Sequence, residues 1–106
     1  VNVGNNAATD DADIDITATG DSNTITVNEN STATMGVGDK KVTNITAIGG
    51  SNTITSTHTG AADQDTTLHH TGSSSTFSIT QGGAYDGAVD VTTVGSNHSV
   101  TITMDD

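Results

Sequence analysis

The strongest constraint on this chain is a short motif that returns. Gly20-Asp21-Ser22-Asn23-Thr24-Ile25-Thr26 is repeated as Gly50-Ser51-Asn52-Thr53-Ile54-Thr55, and in a looser, longer copy as Gly95-Ser96-Asn97-His98-Ser99-Val100-Thr101-Ile102-Thr103. Within each copy Ile or Val alternates with Thr, Ser or Asn, which is the period-two spacing of a β-strand. The same alternation predicts strands at Ala12–Ala18, Ser22–Asn28, Ser31–Val37, Val42–Ile48, Ser51–Thr57, Asp65–His70, Ser75–Gln81, Gly87–Thr93 and Asn97–Thr103. Leu68 is the single leucine, and helix formers are nearly missing, whereas β-branched Ile, Val and Thr suit a pleated surface. The breaks fall at Gly20-Asp21, Gly49-Gly50, Gly60, Gly72, Gly82-Gly83 and Gly95, where tolerance of positive φ permits tight reversal.

Strand centres at Ile14, Ile25, Met35, Ile45, Ile54, Leu68, Ile79, Val91 and Ile102 give a two-strand unit of about 22 residues, a repeat-protein period. Strands this close in sequence also suit an antiparallel meander, so periodicity leaves stacked coils and a barrel or sandwich open. Composition chooses between them. Hydrophobic residues make up 30% of the chain, and Phe77 and Tyr85 are its only aromatics. A sandwich fills a layer about 10 Å thick with large apolar side chains, whereas narrow two-strand coils need one or two medium residues per strand. The expected fold is therefore all-β, a β-solenoid of two-strand (strand-turn-strand) coils stacked into a fibre. Residues 1–11 form an N-terminal segment and residues 12–104 a single β-repeat domain.

Alternation assigns the faces. The inward core is expected to be Ile14, Ile16, Ile25, Val27, Met35, Ile45, Ile54, Phe77, Ile79, Val89, Val91, Val100 and Ile102, while Asp11, Asp13, Asp15 and Thr17 point out. Polar residues precede the central aliphatic by two positions, as at Asn23, Thr43, Asn52, Thr66, Ser75 and His98. Buried polar groups are costly unless bonded, so Asn23, Asn52, Ser75 and Gln81 are read as polar ladders in which like side chains bond one another every ~4.8 Å.

A unit of this length, rich in Ser, Asn, Thr and Gly, resembles the curlin repeat of curli-type bacterial amyloid fibres; similar repeats occur in phage virion proteins. Ser75-Thr76-Phe77-Ser78-Ile79-Thr80-Gln81-Gly82-Gly83 fits the first half of the Ser-x5-Gln-x4-Asn-x5-Gln pattern. Asp86 and Thr92 then stand where Asn and Gln belong, and Ser22 with Asn28 and Ser51 with Thr57 keep only the six-residue offset. The resemblance implies a secreted β-solenoid subunit that stacks end to end and has no catalysis.

Thirteen acidic residues against Lys40 and Lys41 give a net charge of −11. Such a surface repels a phosphate backbone, so nucleic acid is excluded as a partner. No run approaches the ~18 apolar residues of a membrane helix, and Val1-Asn2-Val3-Gly4-Asn5-Asn6 lacks the basic end and apolar centre of a signal peptide. The chain reads as soluble, without membrane insertion. Without cysteine it has no disulfide or thiolate metal site.

The candidate chemistry has simpler explanations. Asp11-Ala12-Asp13-Ile14-Asp15 resembles the start of a calcium loop, but Ile16 and Ser22 occupy its Gly and Glu positions. A strand with three outward carboxylates, at most a weak Ca2+ site at Asp11, Asp13 and Asp15, fits better, and no other cofactor is expected. Gly82-Gly83-Ala84-Tyr85-Asp86-Gly87 resembles a calcium-binding nonapeptide repeat but reads as a turn. His58, His69, His70 and His98 read as scattered surface histidines, and Ser and Asp are too frequent to single out a triad. Thr24-Ile25-Thr26, Thr32-Ala33-Thr34, Thr53-Ile54-Thr55 and Thr101-Ile102-Thr103 resemble the Thr-X-Thr arrays of β-solenoid ice-binding proteins. They fall irregularly along the chain and are absent from Val42–Ile48 and Gly87–Thr93, so strand preference accounts for them.

An edge strand uncapped by Pro, charge or a helix templates another chain, and this sequence has no Pro. The expected function is a non-catalytic structural subunit that self-assembles into an extracellular or cell-surface filament, its partner being copies of itself. The alternative is a non-polymerising module on a phage virion or adhesin stalk, with ice binding as a minor third.

Overall fold

A computed structural model of the chain describes residues 2–3, 12–34, 40–61, 63–83 and 87–105. Among these residues the chain is all-β: β1 (Asn2–Val3), β2 (Ala12–Thr19), β3 (Thr24–Thr34), β4 (Lys40–Ile48), β5 (Thr53–Ala61), β6 (Asp63–Ser73), β7 (Thr76–Gly82), β8 (Gly87–Ser96) and β9 (Ser99–Asp105). One sheet has the order β1-β3-β5-β7-β9 and the other β2-β4-β6-β8. Every pairing is parallel, so the chain leaves one sheet, makes a strand in the other and returns one strand further along. The antiparallel meander is thereby ruled out for these residues.

Register advances by 29 residues and then twice by 23. Ile25 pairs with Ile54, Ile54 with Phe77 and Phe77 with Val100, while Ile16, Ile45, Leu68 and Val91 line up in the other sheet. Of the expected separate strand at Ser31–Val37, the described residues Ser31 to Thr34 belong to β3. β3 runs on through Glu29 and Asn30, which separate the expected strands Ser22–Asn28 and Ser31–Val37, for eleven residues in all to Thr34, and Met35, the expected core residue there, lies outside the described residues. Counting an extra strand shortened the first unit and matched Ile25 with Ile45, which belongs to the other sheet. Asp65–His70 lies within the longer β6. Two residues of the expected N-terminal segment form β1, which pairs Asn2 with Asn28 and Val3 with Glu29 on the outer edge of β3.

Corners explain why the motif repeats. Gly20, Gly49, Gly72 and Gly95 all have positive φ, and two residues later Ser22, Ser51, Ser74 and Asn97 sit in the left-handed region at φ 57–62°. The corners bond one another: Ser22 N–H donates to Gly50 C=O at 2.9 Å, Ser51 to Ser73 at 2.8 Å and Ser74 to Ser96 at 2.9 Å.

The two sheets meet through Ile25, Val27, Ile54, Phe77 and Ile79 on one side and Ile45, Ala47 and Leu68 on the other, all buried. Ile14, Ile16, Val89 and Val91 are partly buried and pack against this cluster. Val100 and Ile102 stand in the inward rows, in register with Phe77 and Ile79, yet are 44% and 45% exposed because, among the described residues, no strand lies beyond β9.

Candidate functional site

Three features of this framework bear on function: a charged group inside the stack, the open end at β9, and the outer face of the five-stranded sheet.

Inside, inward parity carries Glu29 of β3 above His58 of β5, and both side chains are fully enclosed. Glu29 Oε2 contacts His58 Nδ1. On its other side His58 Nε2 shares hydrogen bonds with Ser56 Oγ (2.7 Å) and with Thr66 Oγ1 across the interior (3.1 Å). Thr66 Oγ1 also accepts from Gln81 Nε2 at 3.1 Å, and Gln81 Nε2 donates to the carbonyls of Gln64 and Ala88, each at 3.2 Å. Lys41 enters from β4; it is 1% exposed, and its Nζ has no hydrogen-bond partner among the described residues. Burial lowers the Lys41 pKa from its ordinary value, and the Glu29 carboxylate partly opposes that shift. Lys40, one residue earlier and outward, instead pairs with Asp65, which raises its pKa.

The histidines are therefore not a scattered surface set. His58 and His70 are buried, His98 is half-buried and only His69 is exposed. The His70 ring lies 5.0 Å from those of Phe77, tilted, and His98, edge to face, and shares a 3.0 Å hydrogen bond with Ser75 Oγ. Glu29, Lys41 and His58 do not stand out as a group in the sequence, because Glu29 falls between the expected strands Ser22–Asn28 and Ser31–Val37. Continuing the repeat from the Asn-Thr-Ile-Thr copies would have placed Glu29, the only glutamate, opposite His58.

The polar ladder differs from the expected amide-to-amide contact. Asn23 N–H donates to Asn52 Oδ1 at 2.9 Å, and Asn52 N–H to Ser75 Oγ at 3.1 Å, so each side chain receives the preceding unit's backbone. Each asparagine is held by its own amide: Asn23 Nδ2 donates to Gly20 C=O at 2.7 Å and Asn52 Nδ2 to Gly49 C=O at 2.9 Å. Gln81 belongs to no such ladder, since its neighbours in register are His58 and Met104. It reaches across to the other sheet instead.

At the β9 end Val94, Val100, Ile102 and Met104 are exposed. Among the described residues nothing pairs with the outer edge of β8 or β9.

The outer face of the five-stranded sheet gathers the threonines. In register across β3, β5, β7 and β9 run the rows Thr24-Thr53-Thr76-Ser99, Thr26-Thr55-Ser78-Thr101 and Asn28-Thr57-Thr80-Thr103. All twelve side chains are exposed or half-exposed. Val42–Ile48 and Gly87–Thr93, whose lack of Thr-X-Thr made the pattern look irregular, belong to β4 and β8 of the opposite sheet. Carboxylates concentrate on that opposite sheet, where Asp13, Asp15, Asp65 and Asp90 point outward.

Of the suggested calcium ligands, Asp13 and Asp15 are exposed on β2, Asp15 Oδ1 accepts from Asn44 Nδ2 at 2.9 Å, and Asp11 lies outside the described residues. Among the described residues no group of three His, Asp or Glu side chains could hold a metal ion, and no helix is long and apolar enough to cross a membrane. Among the described residues a cavity of about 10 Å³, about the size of one water, lies between Gln64, Gln81, Gly87 and Met104. Comparison with known protein families, with curated proteins and with solved structures finds no match for this chain.

Proposed function

We propose that this chain is a non-catalytic structural subunit, a β-solenoid whose two-strand coils continue from one copy into the next to build an extracellular filament in the manner of functional amyloids. The observation that carries this reading is the pose of Asn23. In the first unit it has the conformation of Asn52, its amide bonded to the glycine carbonyl three residues back. Asn52 thereby offers Oδ1 to the N–H of the preceding unit. Among the described residues no unit of this kind precedes Asn23, and the equivalent donor is the His98 N–H of a second copy.

The remaining rows support the same register. Placing the first unit of one copy on the last unit of another sets Asn97 N–H against Asp21 C=O, repeating the corner bonds of Ser22, Ser51 and Ser74. Exposed Val100 and Ile102 then meet Ile25 and Val27, continuing rows that are buried inside the chain. An unprotected parallel edge with matching apolar rows is what strand addition requires.

A second reading, a non-polymerising module on a phage virion or adhesin stalk, is supported by β1. It occupies the β3 edge at Asn28 and Glu29, where Thr103 and Met104 of an incoming copy would pair. Growth therefore requires β1 to yield or the new contact to stop at Val27.

Filament growth followed by light scattering separates the two readings. With a charge of −11 per chain, growth is expected to accelerate between about 0.005 M and about 0.15 M salt, as the Debye length shrinks. Ile102→Lys, which forces a charge between stacked units, is expected to stop growth while circular dichroism still shows strand. Faster growth in low salt, or unimpaired growth of Ile102→Lys, would remove end-to-end stacking as the function.

A further inference from the structure

The geometry points to a second, lateral activity: the outer face of the five-stranded sheet is a binding surface for crystalline ice. The rows through Thr24, Thr26 and Asn28 form a lattice of side chains, about 4.8 Å apart between strands and about 6.6 Å apart along each strand. Spacings of this size are close to the oxygen repeats of hexagonal ice. A periodic surface of hydroxyls suits a periodic partner made of hydroxyl-like groups, because each match is repeated in two directions without adjustment.

Two further properties favour this partner. The face is uncharged within its three rows, although the chain carries a net charge of −11: among the described residues Asp13, Asp15, Asp63, Asp65 and Asp90 lie on the opposite sheet, and Asp105 of β9 stands two residues beyond Thr103, outside the three rows. Charge at the contact would hold its own hydration shell and keep the face off a neutral lattice. Nine of the twelve side chains are threonines, stiff at χ1, on strands whose register is continuous from Thr24 to Asn30, from Thr53 to Thr59 and from Thr76 to Gly82. The array is therefore ordered before contact, so binding loses little rotamer freedom. The inference is independent of end-to-end assembly, since the face exists in the single chain and would only lengthen in a filament.

The test grows ice slowly from a solution of the chain. It measures the fraction carried into the ice and the gap between the melting and growth temperatures. The wild type is expected to be enriched in the ice and to hold such a gap. Thr55→Lys, in the middle of the array, is expected to lose most of both effects. Thr67→Lys, the same change at a half-exposed site on the opposite sheet, is expected to lose neither. Thr101→Lys on the terminal strand provides a second disruption away from the centre of the stack, and circular dichroism melting confirms that each variant is folded. Exclusion of the wild type from ice, or equal loss in Thr55→Lys and Thr67→Lys, would overturn the inference.

Discussion

Gly49→Ala is expected to cost about 3–5 kcal/mol, against about 1–2 kcal/mol for Gly20→Ala at the equivalent corner one unit earlier. Both glycines hold left-handed backbone, at φ 129° and φ 118°, so a side chain strains either of them. They differ in what the new methyl would meet. At Gly20 the nearest atom is the Asn23 amide nitrogen, 3.9 Å away; at Gly49 the Gly20 carbonyl oxygen is 2.2 Å away. That carbonyl belongs to the backbone of the stacked corner and cannot turn aside without breaking register. Since domains are stable by only about 5–15 kcal/mol, Gly49→Ala is expected to lower the thermal midpoint far more than Gly20→Ala. Equal effects in a melting comparison would mean that the corners do not stack at this distance.

Glu29→Gln is expected to cost about 3–5 kcal/mol, the range for removing one member of a buried charged group. The substitution keeps the shape of the side chain but strips Lys41 and His58 of their carboxylate, inside a structure where Lys41 is almost fully enclosed. Adding Lys41→Met to Glu29→Gln is expected to restore a substantial part of the loss, because the charge left without compensation is then gone. The pH dependence has a definite sign. Burial lowers the Lys41 pKa below its ordinary value of 10.5, so over that window the unfolded chain binds more protons than the folded one, and stability rises with pH. Without Glu29 the pKa falls further, and the deficit of Glu29→Gln is expected to shrink as pH rises toward 10.5. Chemical denaturation of the single and double variants across this range checks both points; a double variant no more stable than Glu29→Gln would contradict the account of Lys41.

Local alternation reveals much of this architecture. Ile14 and Ile16, Ile25 and Val27, Ile45 and Ala47, Phe77 and Ile79 all lie on one parity of their strands, and the structure puts that parity between the sheets. Pairing is less legible, because it depends on counting strands. Asn28 and Asn30 are turn-prone residues, yet the His58 partner beneath Glu29 and the continuing ladder hold them in β3. One strand too many then exchanged the sheets for the N-terminal part. Sheet membership also decided the threonines, since a motif that looks sporadic along the chain becomes a regular lattice once alternate strands are separated. The buried charges were hidden for a different reason. Glu29, Lys41 and His58 are residue types that ordinarily lie at the surface, and only the register of a unit 29 residues long brings Glu29 and His58 into contact.

Cryo-electron microscopy of the chain at micromolar concentration in about 0.15 M salt tests the central claim most directly. Stacking predicts filaments with a ~4.8 Å axial strand spacing, copies joined head to tail, and Val100 and Ile102 of one copy against Ile25 and Val27 of the next. Monodisperse single chains with intact strand structure under these conditions would contradict it.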